Sequence, residues 1–361
     1  VVCGAADTLE MLVFGRVIQG AGAGAILPVA TAGASHLYVG HARSRALGLI
    51  GAATFLGMAI GPVLGAFILE FLQLRDALAS AGIWGGPLVD LFTPAWRWVF
   101  YITAPLAILA AIYVWAAEPG WKVAPGSSRL DGIGAALFSI ALTAGLLAIT
   151  LIGDEPGDLP IIPIATVIAV VAGVLAIRHM LRTPEPFLDL RLFRDRVFSG
   201  AVLVSLLTGY ALATAIVGMA AFIDRVRFAG PDEQGVVLGP MALFMAIGAF
   251  LSGFLMRRFD ATAVTLVGLA TSVGGLLWLS TTRIDTELWI PVASLSLFGL
   301  GFGLTVTPRS MAAVEAAGRD AFGAASAAVT VGRMAGMAIG MAVLTAFGTT
   351  RIDQTTKALE D

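Results

Sequence analysis

The chain has 361 residues, 58% of them hydrophobic and only 13% charged, and its mean hydropathy is +0.91. Soluble proteins carry about 45–50% apolar and about 25% charged residues, so the composition excludes a water-soluble fold, which would lack polar side chains to cover its surface. A net charge of −2 provides no basic face for nucleic acid, and a single cysteine, Cys3, excludes a disulfide framework or a thiolate metal site.

A membrane-crossing helix needs roughly 20 predominantly apolar residues. Ten stretches meet this length: 9–30, 46–70, 98–117, 132–152, 160–181, 197–222, 236–256, 262–281, 288–308 and 322–348. They are apolar on every side, whereas membrane barrels alternate apolar and polar residues. The predicted fold is therefore all-α and polytopic. The connectors are short and built from turn formers and charges, as in Gly153–Asp158, and the longest, 71–97, has no room for a soluble domain. The chain opens on Val1 inside an apolar run with no charged leader, so it does not read as a signal peptide and is expected to be an internal start.

Lys and Arg set the expected topology. Thirteen of the 22 fall in alternate connectors, from Arg43 and Arg45 through Arg178–Arg196 and Arg257–Arg258 to Arg309 and Arg319; seven fall in the opposite set. The richer set is expected to be cytoplasmic. The first span then runs from outside to inside, which calls for an odd number of spans before it if the full protein starts in the cytoplasm.

Within that first span Arg16 lies about 12 Å along the helix at 1.5 Å per residue. A charge in mid-membrane costs at least about 2.5–3.5 kcal/mol, so Arg16 is expected to face a cavity or a partner. Gln19 and Gly20, at i+3 and i+4, share its face. The alternative is an arginine reaching the outer interface or held by backbone carbonyls. In the second span Gly57, Gly61 and Gly65 form one smooth stripe, and Pro62 removes a backbone donor and predicts a bend. This is a packing and bending element.

Further along, Pro184–Phe193 is short, amphipathic and rich in Arg, as expected of a segment at the membrane surface or of a solvated linker. Pro308-Arg309 is expected to be an interfacial anchor. In the last span Arg333 lies among Gly332, Gly336 and Gly340, and either lines a cavity, pairs across the two halves, or reaches the cytoplasmic interface. The three histidines, His36, His41 and His179, are too scattered to form a metal site. No G-x-S-x-G and no Walker-type loop is present, so neither hydrolysis by that route nor ATP turnover is expected, and an ion gradient remains as the driving force.

Arg16–Gly20 and Gly57–Gly65, in this order, resemble motifs of the major facilitator superfamily: the R-x-x-Q-G signature of its fourth helix and the antiporter signature of its fifth, a feature of exporters. Trp96–Pro105 looks like the start of the sixth helix, with Thr103 where members usually carry Asn. The next two spans and Pro184–Phe193 resemble the inserted helices and linker of the fourteen-helix drug:proton antiporters. Gly253–Asp260 is similar in part to the gating loop of the second half: Gly253 and Arg258 match, but Arg257 stands where an acid is usual and Asp260 where Gly is usual.

The resemblance implies a two-bundle helical transporter with two extra central helices. Residues 1–117 would be the rest of the N-terminal bundle, 118–196 the inserted helices and linker, and 197–361 an incomplete C-terminal bundle, with about three helices before the chain and one after it. It further implies proton-coupled antiport by alternating access, exporting lipophilic or cationic drugs or other small amphipathic compounds, with Arg16, Gln19 and Gly20 serving transport and proton coupling. The substrate can equally be an endogenous metabolite, a lipid precursor or a siderophore; a non-transporting scaffold or sensor is the alternative of another class. No enzymatic activity and no cofactor are expected, the proton gradient being the energy source. The expected partners are a small-molecule substrate, protons and the bilayer, with a monomer favoured. Two Lys against 20 Arg suits a bacterial protein, here of the cytoplasmic membrane.

Overall fold

The computed structural model describes residues 1–71, 94–117, 131–151, 160–184, 188–318 and 321–360, with isolated positions between them. The connectors at 72–93, 118–130 and 152–159, Glu185, Phe187, Arg319, and the side chains of Pro62, Arg351 and Lys357 lie outside the described residues. Among the described residues there is no strand, and ten helical segments are long and apolar enough to cross a bilayer.

In chain order the helices are α1 (Leu9–Leu37), α2 (Gly40–Phe71), α3 (Ala95–Tyr101), α4 (Thr103–Ala117), α5 (Gly132–Thr150), α6 (Ile161–Arg182), a short 3-10 helix (Leu190–Arg194), α7 (Arg196–Arg225), α8 (Pro231–Leu255), α9 (Ala261–Leu279), α10 (Trp289–Ala317) and α11 (Phe322–Glu360). α3 and α4 follow each other with one residue between and make a single crossing segment. Several helices outrun the apolar cores predicted for them. α1 continues to Leu37, α10 to Ala317 and α11 to Glu360. Backbone hydrogen bonding does not stop where hydropathy falls, so polar turns extend each helix beyond the lipid-matched core.

The ends are specified locally. Asp131 caps α5 by accepting from the Gly134 N–H at 2.8 Å. Asp195 caps α7 by accepting from Val197 and Phe198 N–H at 2.8 and 2.9 Å. Gly318 ends α10 at φ +80°, a left-handed conformation that glycine adopts without a Cβ clash.

The chain forms two compact units, Val1–Leu27 with Ile60–Ser127, and Pro28–Ala59 with Ser128–Asp361. The division falls in α1 at Pro28 and in α2 two residues before Pro62. Pro28 has no backbone N–H to give to the helix ladder of α1 at that point. In the first unit the segment before α1 and the N-terminal half of that helix meet α3: the ring of Tyr101 lies directly against Gly4, where a Cβ would stand 2.5 Å from it.

The second unit holds the larger core. α10 is its centre, with α8 and α9 packed along it and α7 and α11 paired beside it. Phe298 and Phe302 of α10 are fully buried with Met241 and Met245 of α8, Leu212 and Ile223 of α7, and Phe55 of α2. Phe298 thus belongs to the packed core, whereas the aromatic side chains of Phe244 and Trp278 are more than one-third exposed. The α7–α11 seam is closed by glycine: a Cβ at Gly336 would overlap the Leu206 carbonyl, and one at Gly340 would stand 2.8 Å from the Tyr210 carbonyl. Small residues let the backbones approach this closely, a common device where lipid supplies no hydrophobic drive between helices.

α5 and α6 form their own antiparallel pair, and α5 also rests on α11. At its arginine-rich end His179 Nε2 lies 2.8 Å from Asp131 Oδ1, and Asp131 is otherwise sealed from solvent.

Candidate transport site

Three polar groupings interrupt the apolar helices. In the first, Arg16 of α1 donates from Nη1 to Gln19 Oε1 at 3.0 Å, and its guanidinium carbon lies 5.9 Å from the centre of the Phe100 ring. Cys3 Sγ stands 4.0 Å from the same Gln19 oxygen. The i, i+3 spacing brings Arg16 and Gln19 together one turn apart. Gly20, on the next position, has no described atom within 4 Å of where a Cβ would be. Arg16 therefore meets an amide and a ring, and no described carboxylate lies within ion-pair distance of it.

Close by in the same unit, Arg97 of α3 is 6% exposed. It donates to the Gly4 carbonyl at 2.8 Å and to Asp7 Oδ1 at 2.7 Å, and it lies over the Trp96 ring at 5.1 Å. The sequence reading set Arg97 in an outer connector; the structure builds it into a helix and makes it the tie between α3 and the segment before α1.

The second grouping lies at the arginine-rich ends of the other unit. Ser44 Oγ of α2 donates to the Gly253 carbonyl of α8 at 3.2 Å, and a Cβ on Gly253 would stand 2.7 Å from the Ser44 carbonyl. Arg43 approaches Glu315 of α10 at 3.8 Å, lies 5.1 Å above the Phe322 ring of α11 and donates to the Tyr38 carbonyl. Deeper in, Phe55 meets Phe302 edge to face at 5.6 Å. Gly253, predicted as part of a loop remnant, is thus a buried contact point between α2 and α8. Arg258 is exposed and, with Arg257 and Phe254, borders an open cleft of about 390 Å³.

The third grouping is buried. Arg309 of α10 is 3% exposed, donates from Nη1 to Thr208 Oγ1 of α7 at 2.6 Å and lies 5.7 Å over the Phe302 ring. This overturns its reading as an interfacial anchor: α10 runs on to Ala317, so Arg309 sits inside the helix and faces its neighbours. Arg333 of α11 is 7% exposed, and its main-chain oxygen presses on Gly209, the residue after Thr208. Two arginine-bearing helices thus converge on one turn of α7. Nε of both guanidiniums is buried without a hydrogen-bond partner, and no described carboxylate lies within 4.0 Å of either. Such a charge pair is costly to bury, and among the described residues a hydroxyl, a ring face and helix packing hold it.

The glycines of the second span stand differently from those of α11. At Gly57, Gly61 and Gly65 an added Cβ would meet no described atom within 4 Å. No group of three His, Cys, Asp or Glu that would suit a metal occurs among the described residues.

Ten helical segments long and apolar enough to cross a bilayer, with charges gathered at helix ends and at a few buried positions, define a polytopic membrane protein. The chain belongs to the Major Facilitator Superfamily, which it matches over residues 1–341. It is similar to a triacylglyceride transporter of Mycolicibacterium hassiacum, with 34% identity over 98% of this chain and 64% of that protein. It also resembles the triacylglyceride transporter of Mycolicibacterium smegmatis, at 33% over 98% and 62%, and the multidrug transporter protein MdtP of Bacillus subtilis, at 25% over 95% and 59%. The chain spans 62–64% of the length of these two triacylglyceride transporters. It is a multi-pass membrane protein of that family, and the relatives it matches are named as transporters.

Proposed function

We propose that this protein exports lipophilic or amphipathic small molecules by proton-coupled antiport, through alternating access between two helical bundles of a bacterial cytoplasmic membrane. The observation that carries this reading is the contact of α2 with α8 and α10, made at the arginine-rich ends by Ser44–Gly253 and Arg43–Glu315 and deeper in by Phe55–Phe302. A hydroxyl–carbonyl bond, a half-exposed ion pair and a ring pair contribute about 0.2–1.5 kcal/mol each. Together with the close approach of Gly48 and Gly51 to Ala249, these contacts close one face. Charge bias makes this face cytoplasmic, so the arrangement is one closed to the cytoplasm.

Arg16, which among the described residues hydrogen-bonds to Gln19, supplies a positive charge that favours the ionised form of a carboxylate brought within about 4–6 Å. Proton uptake by that carboxylate then releases the arginine, which ties protonation to movement. The antiporter-like stripe Gly57–Gly65 supports export over import. A lipid substrate is the second reading. Relatives at 33% and 34% identity are named triacylglyceride transporters, against 25% for the one named a multidrug transporter.

The test is efflux from cells that express the intact protein and are loaded with a fluorescent lipophilic cation, with and without a protonophore. Extraction of a fluorescent triacylglyceride from proteoliposomes runs beside it. Protonophore-sensitive efflux of either compound supports the reading; efflux of both that ignores the protonophore refutes proton coupling.

A further inference from the structure

The seam where α5, the linker, α7 and α11 meet holds a partly open apolar cavity of about 260 Å³. Its walls include Phe138 and Leu142 of α5, Phe193 of the linker, Val202 of α7, and Ala327 and Ala335 of α11. Drug-sized ligands occupy pockets of roughly 300–1,000 Å³ with several polar groups. This one is smaller and its lining is apolar throughout, so it suits a single hydrocarbon chain better than a whole substrate molecule.

Depth narrows the occupant. α5, α7 and α11 all begin at the arginine-rich face. At 1.5 Å per residue, Val202, Leu142 and Ala335 lie about 9, 15 and 20 Å along their helices. The cavity therefore reaches about to the middle of a bilayer core roughly 30 Å thick, the depth of one leaflet's acyl chains.

Charge narrows it further. Arg191 and Arg194, three apart on a 3-10 turn, share one face, and Arg196 follows at the start of α7. All three side chains are exposed and none pairs with a described carboxylate. The neighbouring acids are engaged with the backbone: Asp189 accepts from the Arg191 N–H at 2.9 Å, and Asp195 caps α7. The linker is fixed in place, with Ser199 Oγ donating to the Phe193 carbonyl at 2.6 Å and the Phe193 ring edge-on to Phe198 at 5.2 Å. The side chain that lines the cavity and the arginines beside it thus sit on the same short, anchored turn.

We propose that this cavity holds one acyl chain of an anionic phospholipid from the arginine-rich leaflet, with the lipid phosphate on Arg191, Arg194 and Arg196. Basic pockets at the cytoplasmic ends of membrane helices take anionic head groups by the same electrostatics. The bound chain fills the gap between the inserted pair and the C-terminal helices and joins them. It is a resident lipid, distinct from the transported molecule.

Native mass spectrometry of the intact protein, released from nanodiscs of equal phosphatidylglycerol and phosphatidylcholine, reads the retained lipid directly. The expected result is one phosphatidylglycerol retained with about a tenfold preference, the order given by one or two arginines acting on one phosphate. Combined Arg191→Gln, Arg194→Gln and Arg196→Gln should erase the preference. Ala327→Phe, which fills the cavity and leaves the charges, should remove the retained lipid; Leu142→Trp fills it from α5 if the first variant fails to fold. Equal retention of the two lipids, a preference that survives the triple substitution, or retention unchanged in the filled variants would each overturn the proposal. Displacement by glycerophosphoglycerol, the head group without chains, would assign the site to phosphate alone. Displacement by triacylglyceride would assign it to substrate, and either outcome contradicts a resident phospholipid.

Discussion

Thr208→Val isolates what a buried arginine needs in this bundle. Thr208 is 5% exposed and accepts from Arg309 Nη1 at 2.6 Å, while Arg309 is 3% exposed. Valine keeps the shape and removes the acceptor. A hydrogen bond to a charged group contributes about 1.5–3 kcal/mol, and both partners are almost wholly buried, so the substitution should destabilise the protein by that amount. Thr208 also donates to the Val204 carbonyl at 2.7 Å, but that carbonyl belongs to the helix ladder of α7 and loses little. Arg309→Met removes the guanidinium with its desolvation penalty, and replacing buried charge by a fitting hydrophobe is often neutral or stabilising by about 1–4 kcal/mol. In the Arg309→Met background Thr208→Val should then cost almost nothing, giving a coupling of about 1.5–3 kcal/mol. Equilibrium unfolding of the intact protein and the three variants in mixed detergent micelles measures it. A single-variant cost below about 0.5 kcal/mol, or equal costs in both backgrounds, would refute the reasoning.

The α7–α11 seam should be intolerant of volume: Gly336→Val presses on the Leu206 carbonyl and is expected to lower stability by about 1–3 kcal/mol in the same unfolding assay. Gly57→Ala, with no described atom within 4 Å, should leave stability unchanged or raise it by up to about 1 kcal/mol through helix propensity; export lost at constant stability would then mark contact or bending in another state. Phe55→Ala removes a ring that is 2% exposed against Phe302, and spin labels at 41 and 315 should report a longer, broader distance; an unchanged distribution would show that the ring pair does not hold that face shut. Around Arg97 the effects should be unequal. Asp7, 77% exposed at its side chain, should tolerate Asn at under about 1 kcal/mol, whereas Arg97→Ala, by stripping the Gly4 carbonyl of its partner, should cost clearly more in thermal stability.

The helices were legible because the bilayer imposes one length and one composition on each, and all ten predicted spans fall on helices of the described chain. Where the reading failed, it failed at charges. Hydropathy ends a span at Pro308, so Arg309 was assigned to an interface, yet its acceptor is 101 positions away on α7 and no local pattern announces it. Arg97 was misplaced for the same reason: its partners Gly4 and Asp7 are about 90 positions distant. Arg16 and Gln19 could be paired in advance because they share a helix face at i, i+3. The glycines of α11 carried a visible four-residue spacing, but only the structure shows that α7 is the backbone they admit. Gly253 was singled out by its resemblance to a loop motif; its role as the point where Ser44 approaches depends on tertiary packing. Short-range spacing was readable, and long-range polar partners were not.

Proton coupling through closure of the arginine-rich face is the core of this account, and proteoliposomes holding the intact protein and an internal pH dye test it most directly. Adding a lipophilic substrate on one side of an imposed pH gradient should speed the gradient's collapse, with proton flux and substrate movement in opposite directions, and Arg16→Ala should abolish the link. Substrate movement that leaves the pH trace untouched, in wild type and Arg16→Ala alike, would contradict it.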